Sequence, residues 1–574
     1  MIRRRWVSAA ALSLLLAAQP LTAEATGEPP LEPGAEGFVR TVLTADRIEE
    51  IPLTYIGRLK DAIGPGYDLH LVQLQGPLAE KVGVAAGMSG SPVYFDGRLI
   101  GALSYRLGTL PRDPVAGVTP IEDMLDASRA EGHQLPADSS AAPIGTPVSA
   151  GGLAEPVREW LEPRLGEMGF VLSLGGAAAS DDREPASLEP GSPVAVALVR
   201  GDLTMAATGT VTHIDGDRVY AFGHPFFGTG RVEMPMHSAT VIHTLTDMLG
   251  SSKLAEVGPE IGAIVDDRLP AIVGRTGVQA RMIPLVLRIT GADYEAREFN
   301  FEVVKNSNLT PLLAGTVVAN ALVGNSGYDS ELTVVSRGTI ELDGFPDLPI
   351  EMAYAGGRGS NPAVAVGARL FQLLGGLWIN PFDPVDVRRI VVEVEAAPEI
   401  RRYRVDSVIR DRQVFRPGQR LSLRTVLRRY RGEQESRELE LMIPDYLVGQ
   451  GVLALAVGPP SYIERALGAP LTRRLQTADR LPAVVQVFAE LRSEHRLVAV
   501  LYHRSQATVA NGVAYDALPP TARRLLGLGK PSGAPARSPA TVLARVDVEF
   551  DGPVEGGMAM ELRYDADLTM EGKP

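Results

Sequence analysis

The sequence has no cysteine among its 574 residues. Disulfide bonds, a thiol nucleophile and a thiolate metal site are therefore excluded, while the redox compartment is left open. Basic charge is also scarce, because 56 Lys and Arg face 69 Asp and Glu and give a net charge of −13. A nucleic-acid surface needs clustered Lys and Arg, so we expect no nucleic acid among the partners.

Cofactor and metal motifs are missing as well. The chain contains no P-loop, no dinucleotide fingerprint and no H-E-x-x-H motif. Of its 8 histidines, the only cluster is His224, His237 and His243, and the spacing of the last two does not place them on one helical face. We therefore expect neither a cofactor nor a metal ion.

Long apolar runs are absent too. The run at residues 9–18 is too short to span a bilayer, follows three arginines and precedes the small-x-small sequence Ala23-Glu24-Ala25. This pattern predicts a secretory signal peptide, and hence an exported protein, periplasmic or extracellular, with no membrane span in its mature form. Prolines then predict a flexible leader.

A serine set among small residues stands out in the remaining chain. Gly87 and Gly90 flank Ser89 and allow a sharp turn, in which the N–H groups of Gly87 and Ser89 can converge as an oxyanion hole. Asp96-Gly97 then predicts a type I′ turn between two strands. A serine held clear of the backbone in this way is suited to nucleophilic attack, although the same composition also suits a purely structural turn.

Two segments carry a family resemblance. The run GMSGSPVYFDGRLIGALSY at residues 87–105, continued at residues 116–121, resembles the end of a trypsin-like domain and is similar to the SpoIVB peptidase family of bacterial serine endopeptidases. AFGHP at residues 221–225 resembles the segment that carries that family's catalytic histidine. The resemblance covers roughly residues 37–277 and implies trypsin-like β-barrel halves, Ser89 as nucleophile, His224 as base and an acyl-enzyme without a cofactor.

The chain departs from the family in two respects. Ser89 precedes His224, so the two halves occur in permuted order, which does not forbid a triad because the same geometry recurs with different chain orders. In addition, Gln75 or Gly76 stands where the family has an acidic residue. Asp202 is the first candidate for the orienting acid, a serine–histidine dyad without an acid is an alternative, and the further candidates are Asp217 and Asp68.

Composition and strand patterns predict a multidomain fold that is mainly β with helices. Thr119, Pro120 and Glu122 predict a capped helix after the serine half. Further on, the patterns predict hairpins at 282–304 and 331–353 and helices at 308–325 and 361–377, the second capped by Asn361. The strands at 542–550 and 558–564 are predicted to form a final hairpin. The predicted segments are a signal peptide (1–25), a leader (26–36), a serine-bearing half (37–130), a linker (131–151), a histidine-bearing half (152–280), an α+β supporting region (281–410) and a β-rich, sandwich-like accessory domain (411–574).

Two functions from different classes are compatible with these patterns. The first is an exported serine endopeptidase acting on a peptide or protein, for which the linker at 131–151 is itself a candidate substrate. The second is a catalytically inactive, protease-like protein of the cell envelope that binds a protein partner through its C-terminal domain. The absent acid near Gln75 favours the second, whereas Ser89 and His224 favour the first.

Overall fold

We describe the fold from a computed structural model of the chain. The residues it describes are 31–108, 113–127, 141–175, 187–247, 250–291, 296–326, 331–357, 361–468, 470–503, 508–510, 513–515 and 540–567. The predicted signal peptide lies outside these residues. Of the predicted leader, residues 31–36 belong to the folded part, because the Gly34 amide donates to the Tyr55 carbonyl at 2.9 Å and the first strand begins at Glu36.

The first domain is a closed barrel of six antiparallel strands. Its order is β4-β1-β2-β3-β6-β5, and β4 pairs with β5 to complete the ring. The strands and helices of this domain are β1 (Glu36–Val42), β2 (Ile48–Gly64), β3 (Tyr67–Leu74), α1 (Gly76–Val82), β4 (Ser91–Phe95), β5 (Arg98–Leu107), β6 (Val115–Pro120) and α2 (Ile121–Leu125).

Two local predictions, the Asp96-Gly97 turn and the helix cap at Thr119, can be compared with this barrel. Asp96 and Gly97 have φ of 50° and 75°, which confirms the type I′ turn between β4 and β5. The capping box at Thr119 is wrong, since α2 begins at Ile121 without a side-chain cap. The Thr119 hydroxyl instead donates to the Gly223 carbonyl at 2.7 Å, because this strand end is packed against the second domain.

The second domain is a further closed antiparallel barrel, with the order β10-β13-β14-β15-β12-β11 and a β10–β11 pairing that completes it. The segments from the first barrel to its end are β7 (Ala141–Pro143), β8 (Thr146–Ala150), α3 (Glu155–Glu167), β9 (Phe170–Leu174), β10 (Pro193–Gly201), β11 (Met205–Asp215), β12 (Arg218–Ala221), β13 (Gly230–Leu245), β14 (Ser252–Arg268) and β15 (Ala271–Thr276).

The second half of the predicted linker at 131–151 is wrong, because it forms two strands: β7 pairs with β5, and β8 pairs with β9 and β11. Residues 131–140 lie outside the described residues. All five residues of β8 are buried. Small and polar residues here therefore form strands, because two neighbouring domains supply the hydrogen-bond partners that the local sequence does not reveal.

The supporting region continues the sheet of the second barrel. The hairpins and helices expected there are confirmed, and the Asn361 side chain caps its helix by accepting from the amides of Ala363 and Val364. The elements are β16 (Met282–Thr290), β17 (Arg297–Val304), α4 (Thr310–Ser326), β18 (Thr333–Leu342), β19 (Leu348–Ala355), α5 (Pro362–Trp378) and β20 (Val387–Ala397). Strand β17 pairs with β10, so barrel and supporting region share one thirteen-stranded sheet.

The C-terminal part is formed by two sheets that share one apolar core, of order β24-β23-β21-β30 and β22-β31-β25-β26-β29. Its elements are β21 (Tyr403–Arg410), β22 (Val414–Phe415), β23 (Arg420–Arg429), β24 (Gln434–Met442), β25 (Gln450–Gly458), α6 (Pro460–Leu467), α7 (Leu471–Thr477), α8 (Leu481–Ala489), β26 (Arg496–His503), β27 (Thr508–Ala510), β28 (Val513–Tyr515), β29 (Thr541–Glu549), β30 (Val554–Glu555) and β31 (Met558–Asp565). The hairpin expected from the last two long strands is wrong, because β29 pairs with β26 and β31 with β25.

The fold class, mainly β with helices, is confirmed by this architecture. Among the helices of the described residues, none combines the length and the apolar character needed to cross a bilayer.

Helices α4 and α5 cross at two glycines, and this contact generates a first prediction. A Cβ at Gly367 would lie 2.3 Å from the Gly315 carbonyl oxygen. We expect Gly367→Ala to lower the free energy of unfolding by about 1–3 kcal/mol, because the helices must separate. Gly375→Ala on the same helix, where a Cβ meets nothing within 4 Å, should raise it by about 0.5–1 kcal/mol. Urea denaturation measures both, and equal effects would contradict the prediction.

Candidate active site

The Ser89 turn lies between the two barrels. Thr210 on β11 makes two hydrogen bonds to this turn. Its amide donates to the Ser89 carbonyl at 2.9 Å, and its hydroxyl donates to the Gly87 carbonyl at 2.9 Å. The Thr212 hydroxyl donates to the Gly90 carbonyl at 2.7 Å. Gly87 and Gly90 have φ of 89° and 93°, so the turn uses the left-handed conformations that glycine allows.

Gly90 also permits a main-chain contact between the barrels. A Cβ there would lie 2.0 Å from the Thr210 carbonyl oxygen and 2.4 Å from the Phe222 nitrogen. Any side chain would therefore separate the barrels. Because Ser89 precedes Gly90 and His224 is two residues beyond Phe222, this contact brings the two segments that the sequence singled out to the same place.

His224 is presented by a tight turn that follows β12. Phe222 and Gly223 have φ of 66° and 69°, and a buried Phe in this region stores strain of about 1–3 kcal/mol. The imidazole is only 2% exposed and packs edge-on against Tyr105, with ring centroids 6.4 Å apart. Its Nδ1 lies 3.0 Å from the Pro225 carbonyl oxygen.

Burial dominates the electrostatics of this histidine. It lowers the pKa of His224 to about 4, while the backbone carbonyls of Pro225 and Ile144 act in the opposite direction. Since a carbonyl only accepts, Nδ1 carries the proton and Nε2 has a free lone pair. Ser89 is 0% exposed, and neither its Oγ nor His224 Nε2 has a hydrogen-bond partner among the described residues, so the two are not hydrogen bonded to each other.

The structure does not bring the candidate acids to His224. Asp202 is exposed in the β10–β11 turn, where its Oδ2 accepts from the Asn300 amide at 2.6 Å. Asp217 and Asp68 bind the guanidinium groups of Arg275 and Arg58, at 2.9 Å and 2.6 Å. Within the described part of the chain, no carboxylate bonds to the His224 ring.

A buried carboxylate that the sequence did not reveal fixes the loop after His224. Asp267 is 0% exposed, and its two oxygens accept from the amides of Phe226, Phe227 and Gly228 at 2.8, 2.9 and 3.1 Å. Burial raises the pKa of Asp267, and the backbone bonds oppose this rise. In the sequence Asp267 is one of two adjacent aspartates near a strand end, so only the fold distinguishes it.

Lys253 is a second buried group that the sequence did not reveal. Its Nζ donates to the hydroxyls of Thr41 and Thr210 at 2.8 and 3.3 Å, and Ser91 Oγ donates to the same Thr41 hydroxyl at 3.0 Å. Burial lowers the pKa of Lys253 to about 7. This cluster joins β1, β11 and β14 directly beside Gly87 and therefore couples the two barrels at the serine turn.

The Gly87 amide, a predicted oxyanion donor, is already hydrogen bonded to a peptide carbonyl of the chain itself. The Gly87 amide donates to the Gly145 carbonyl at 3.2 Å. A cleft of about 970 Å³ opens beside this point and is lined by His224, Gly145, Phe170 and Phe226 among others. Across the described residues, no group of three or more His, Cys, Asp or Glu side chains is arranged to hold a metal ion.

The carboxylate of Asp267 is a direct target for mutation. We expect Asp267→Ala to lower the free energy of unfolding by about 3 kcal/mol or more, because three partly buried amides lose their acceptor. Asp266→Ala removes a partly buried ion pair with Arg268 but leaves the three amides with their acceptor, so it should cost clearly less. Urea denaturation compares the two, and similar losses would argue against the amide-holding role.

Lys253 makes stability depend on pH. Its folded pKa of about 7 lies below the ordinary 10.5, so between these values the unfolded chain binds more protons and stability rises with pH. Relative to Lys253→Met, the wild-type free energy of unfolding should therefore increase between about pH 7 and 10.5, with a slope approaching about 1.4 kcal/mol per pH unit. Urea titrations at several pH values measure this difference, and a flat difference would refute the assignment.

Comparison with known proteins identifies no relative of the chain. No family model matches the chain, and neither a curated protein nor a solved structure does.

Proposed function

We propose that the protein is an exported serine endopeptidase of the SpoIVB type. Ser89 is the nucleophile, His224 is the base and the Gly87 amide is an oxyanion donor. One observation carries this proposal: the Gly87 amide binds a peptide carbonyl at 3.2 Å, at the point where the segments of Ser89 and His224 meet. An amide that donates to a neutral carbonyl oxygen here is placed to stabilise the oxyanion of a tetrahedral intermediate.

The architecture supports the same proposal. Two closed, six-stranded antiparallel barrels pack together at the serine turn, which is the arrangement that a trypsin-like peptidase requires. The Ser89 turn belongs to one barrel and His224 to the other, so both barrels contribute to one site. The permuted chain order does not alter this geometry, because each barrel is closed by its own hydrogen bonds.

The reaction follows from the state of His224. With Nδ1–H donating to the Pro225 carbonyl, Nε2 accepts the proton from Ser89 Oγ as that oxygen bonds to the substrate carbonyl carbon. The imidazolium then returns the proton to the leaving amine, and the C–N bond breaks to give an acyl-enzyme. Water hydrolyses the ester by the same steps. Since none of the described carboxylates bonds to the ring, the imidazolium is less stabilised, so the dyad is slower than a triad.

A non-catalytic envelope protein is the second candidate. Two observations favour it: no carboxylate bonds to His224 within the described residues, and Ser89 is fully buried. The accessory domain also exposes apolar side chains at one loop, where Tyr446 and Val448 are 67% and 82% exposed. A partner protein bound there would give the chain a function without catalysis.

Covalent labelling with a fluorophosphonate probe tests the proposal. We expect slow labelling of the wild type, none of Ser89→Ala, and a rate at least about 10²-fold lower for His224→Ala. Ser336→Ala is the matched control, because this buried serine lies on β18 of the supporting region, where it donates to the Met352 carbonyl, and its removal should leave the rate unchanged. A folded wild type that is never labelled would leave the binding-protein candidate.

The pH dependence of labelling identifies the base. His224 acts when neutral, and its pKa of about 4 keeps it neutral at higher pH. The labelling rate should therefore be level from about pH 5 to 8 and fall as the pH decreases through about 4, with circular dichroism confirming that the fold persists. A midpoint near pH 7 would instead indicate Lys253 as the proton acceptor, since burial lowers its pKa to about 7.

A further inference from the structure

The chain places one of its own strands against the proposed site. Strand β7 runs antiparallel to the end of β5, with Pro143 opposite Tyr105 and Ala142 opposite Arg106. It lies outside the six strands that close the first barrel. Beyond β7 the chain enters β8 of the second sheet, so this short segment is the covalent passage from one domain to the other.

The next two residues cross in front of the serine turn. The Ile144 amide donates to the Ser104 carbonyl at 2.8 Å, and the Gly145 carbonyl accepts from the Gly87 amide at 3.2 Å. The Ile144 carbonyl faces the ring of His224. These backbone contacts need no particular side chain, so any extended peptide can make them.

The side chains add selectivity. Ile144 is 2% exposed and belongs to the apolar cluster of the first barrel that includes Ala85 and Met88. A Cβ at Gly145 would lie 2.9 Å from Val171 Cγ2, so the next position favours glycine. The pocket therefore fits a branched aliphatic residue followed by a very small one.

We propose that residues 141–145 occupy the peptide-binding groove as a resident ligand, and that the groove takes extended peptides of the same class, with small residues, then a branched aliphatic residue and glycine. This inference rests on the proposed function, because it names the peptide class of that site. The Gly145 carbonyl of this segment accepts a hydrogen bond from the Gly87 amide, which is the proposed oxyanion donor. The Ile144 carbonyl faces the ring of His224. The resting protein is therefore closed to other peptides until the segment leaves.

Peptide binding to a variant that cannot form an acyl-enzyme tests this directly. The probe is fluorescein-labelled Ala-Ala-Pro-Ile-Gly, and fluorescence anisotropy measures its affinity for full-length Ser89→Ala. Adding Ile144→Asp to this variant places a charge in the apolar pocket and expels residues 141–145. Because the groove is then empty, the affinity for the labelled peptide should increase by at least about tenfold. Ile144→Val keeps the branched side chain and should leave affinity close to that of the parent.

Specificity is measured with Ala-Ala-Pro-Asp-Gly, which should bind at least about tenfold more weakly to the Ile144→Asp variant. Unchanged affinity in a folded Ile144→Asp variant, or equal binding of the two peptides, would overturn the inference. If circular dichroism shows that this variant does not fold, Ile144→Ala keeps the backbone bonds, weakens the hold of the segment and should give a gain in the same direction. No gain with that variant overturns the inference as well.

The two proposals fail separately. Binding is measured without Ser89 Oγ, so it does not depend on catalysis. A wild type that fluorophosphonate labels slowly, together with an Ile144→Asp variant that it labels faster, would support both proposals. A protein that binds the peptide but is labelled in no variant would retain the groove and lose the peptidase.

Discussion

The main-chain contact at Gly90 is the constraint on which the site depends. Two closed barrels meet there at distances that exclude even a methyl group, with the Thr210 carbonyl and the Phe222 amide on the opposite side. Barrel closure makes each partner stiff, because every barrel strand is hydrogen bonded on both edges. The position of Ser89 relative to His224 is therefore set by backbone packing, and side chains adjust only its chemistry.

The chemistry of the site is governed by burial and by neutral partners. Threonine hydroxyls and backbone carbonyls hold Lys253 and His224, and burial keeps the charged form of each disfavoured. Asp267 is held in turn by backbone amides. A neutral imidazole with an oriented lone pair is a competent base, but within the described part of the chain no carboxylate bonds to the ring to stabilise an imidazolium. This is the physical point on which the two candidate functions differ.

The sequence predicted those parts of the fold that are determined locally. The Asp96-Gly97 turn, the Asn361 cap and most strands follow from short patterns, and the Ser89 and His224 segments were found by their motifs. Pairing between distant strands was not predictable: β29 and β31 resemble a hairpin, yet β26 and β25 lie between them in the sheet. Lys253 and Asp267 were missed for a related reason, since their burial arises from contacts between residues far apart in the chain.

The passage of the chain through the groove has a consequence for concentration. A separate inhibitor dissociates on dilution, whereas residues 141–145 are anchored at both ends, by β7 on β5 and by β8 on β11. Their effective concentration at the groove is fixed by the fold and is typically in the millimolar range or above. Purification or dilution into a large volume therefore leaves the groove filled, and only a competing peptide, a shift of the barrels or a break in the segment empties it.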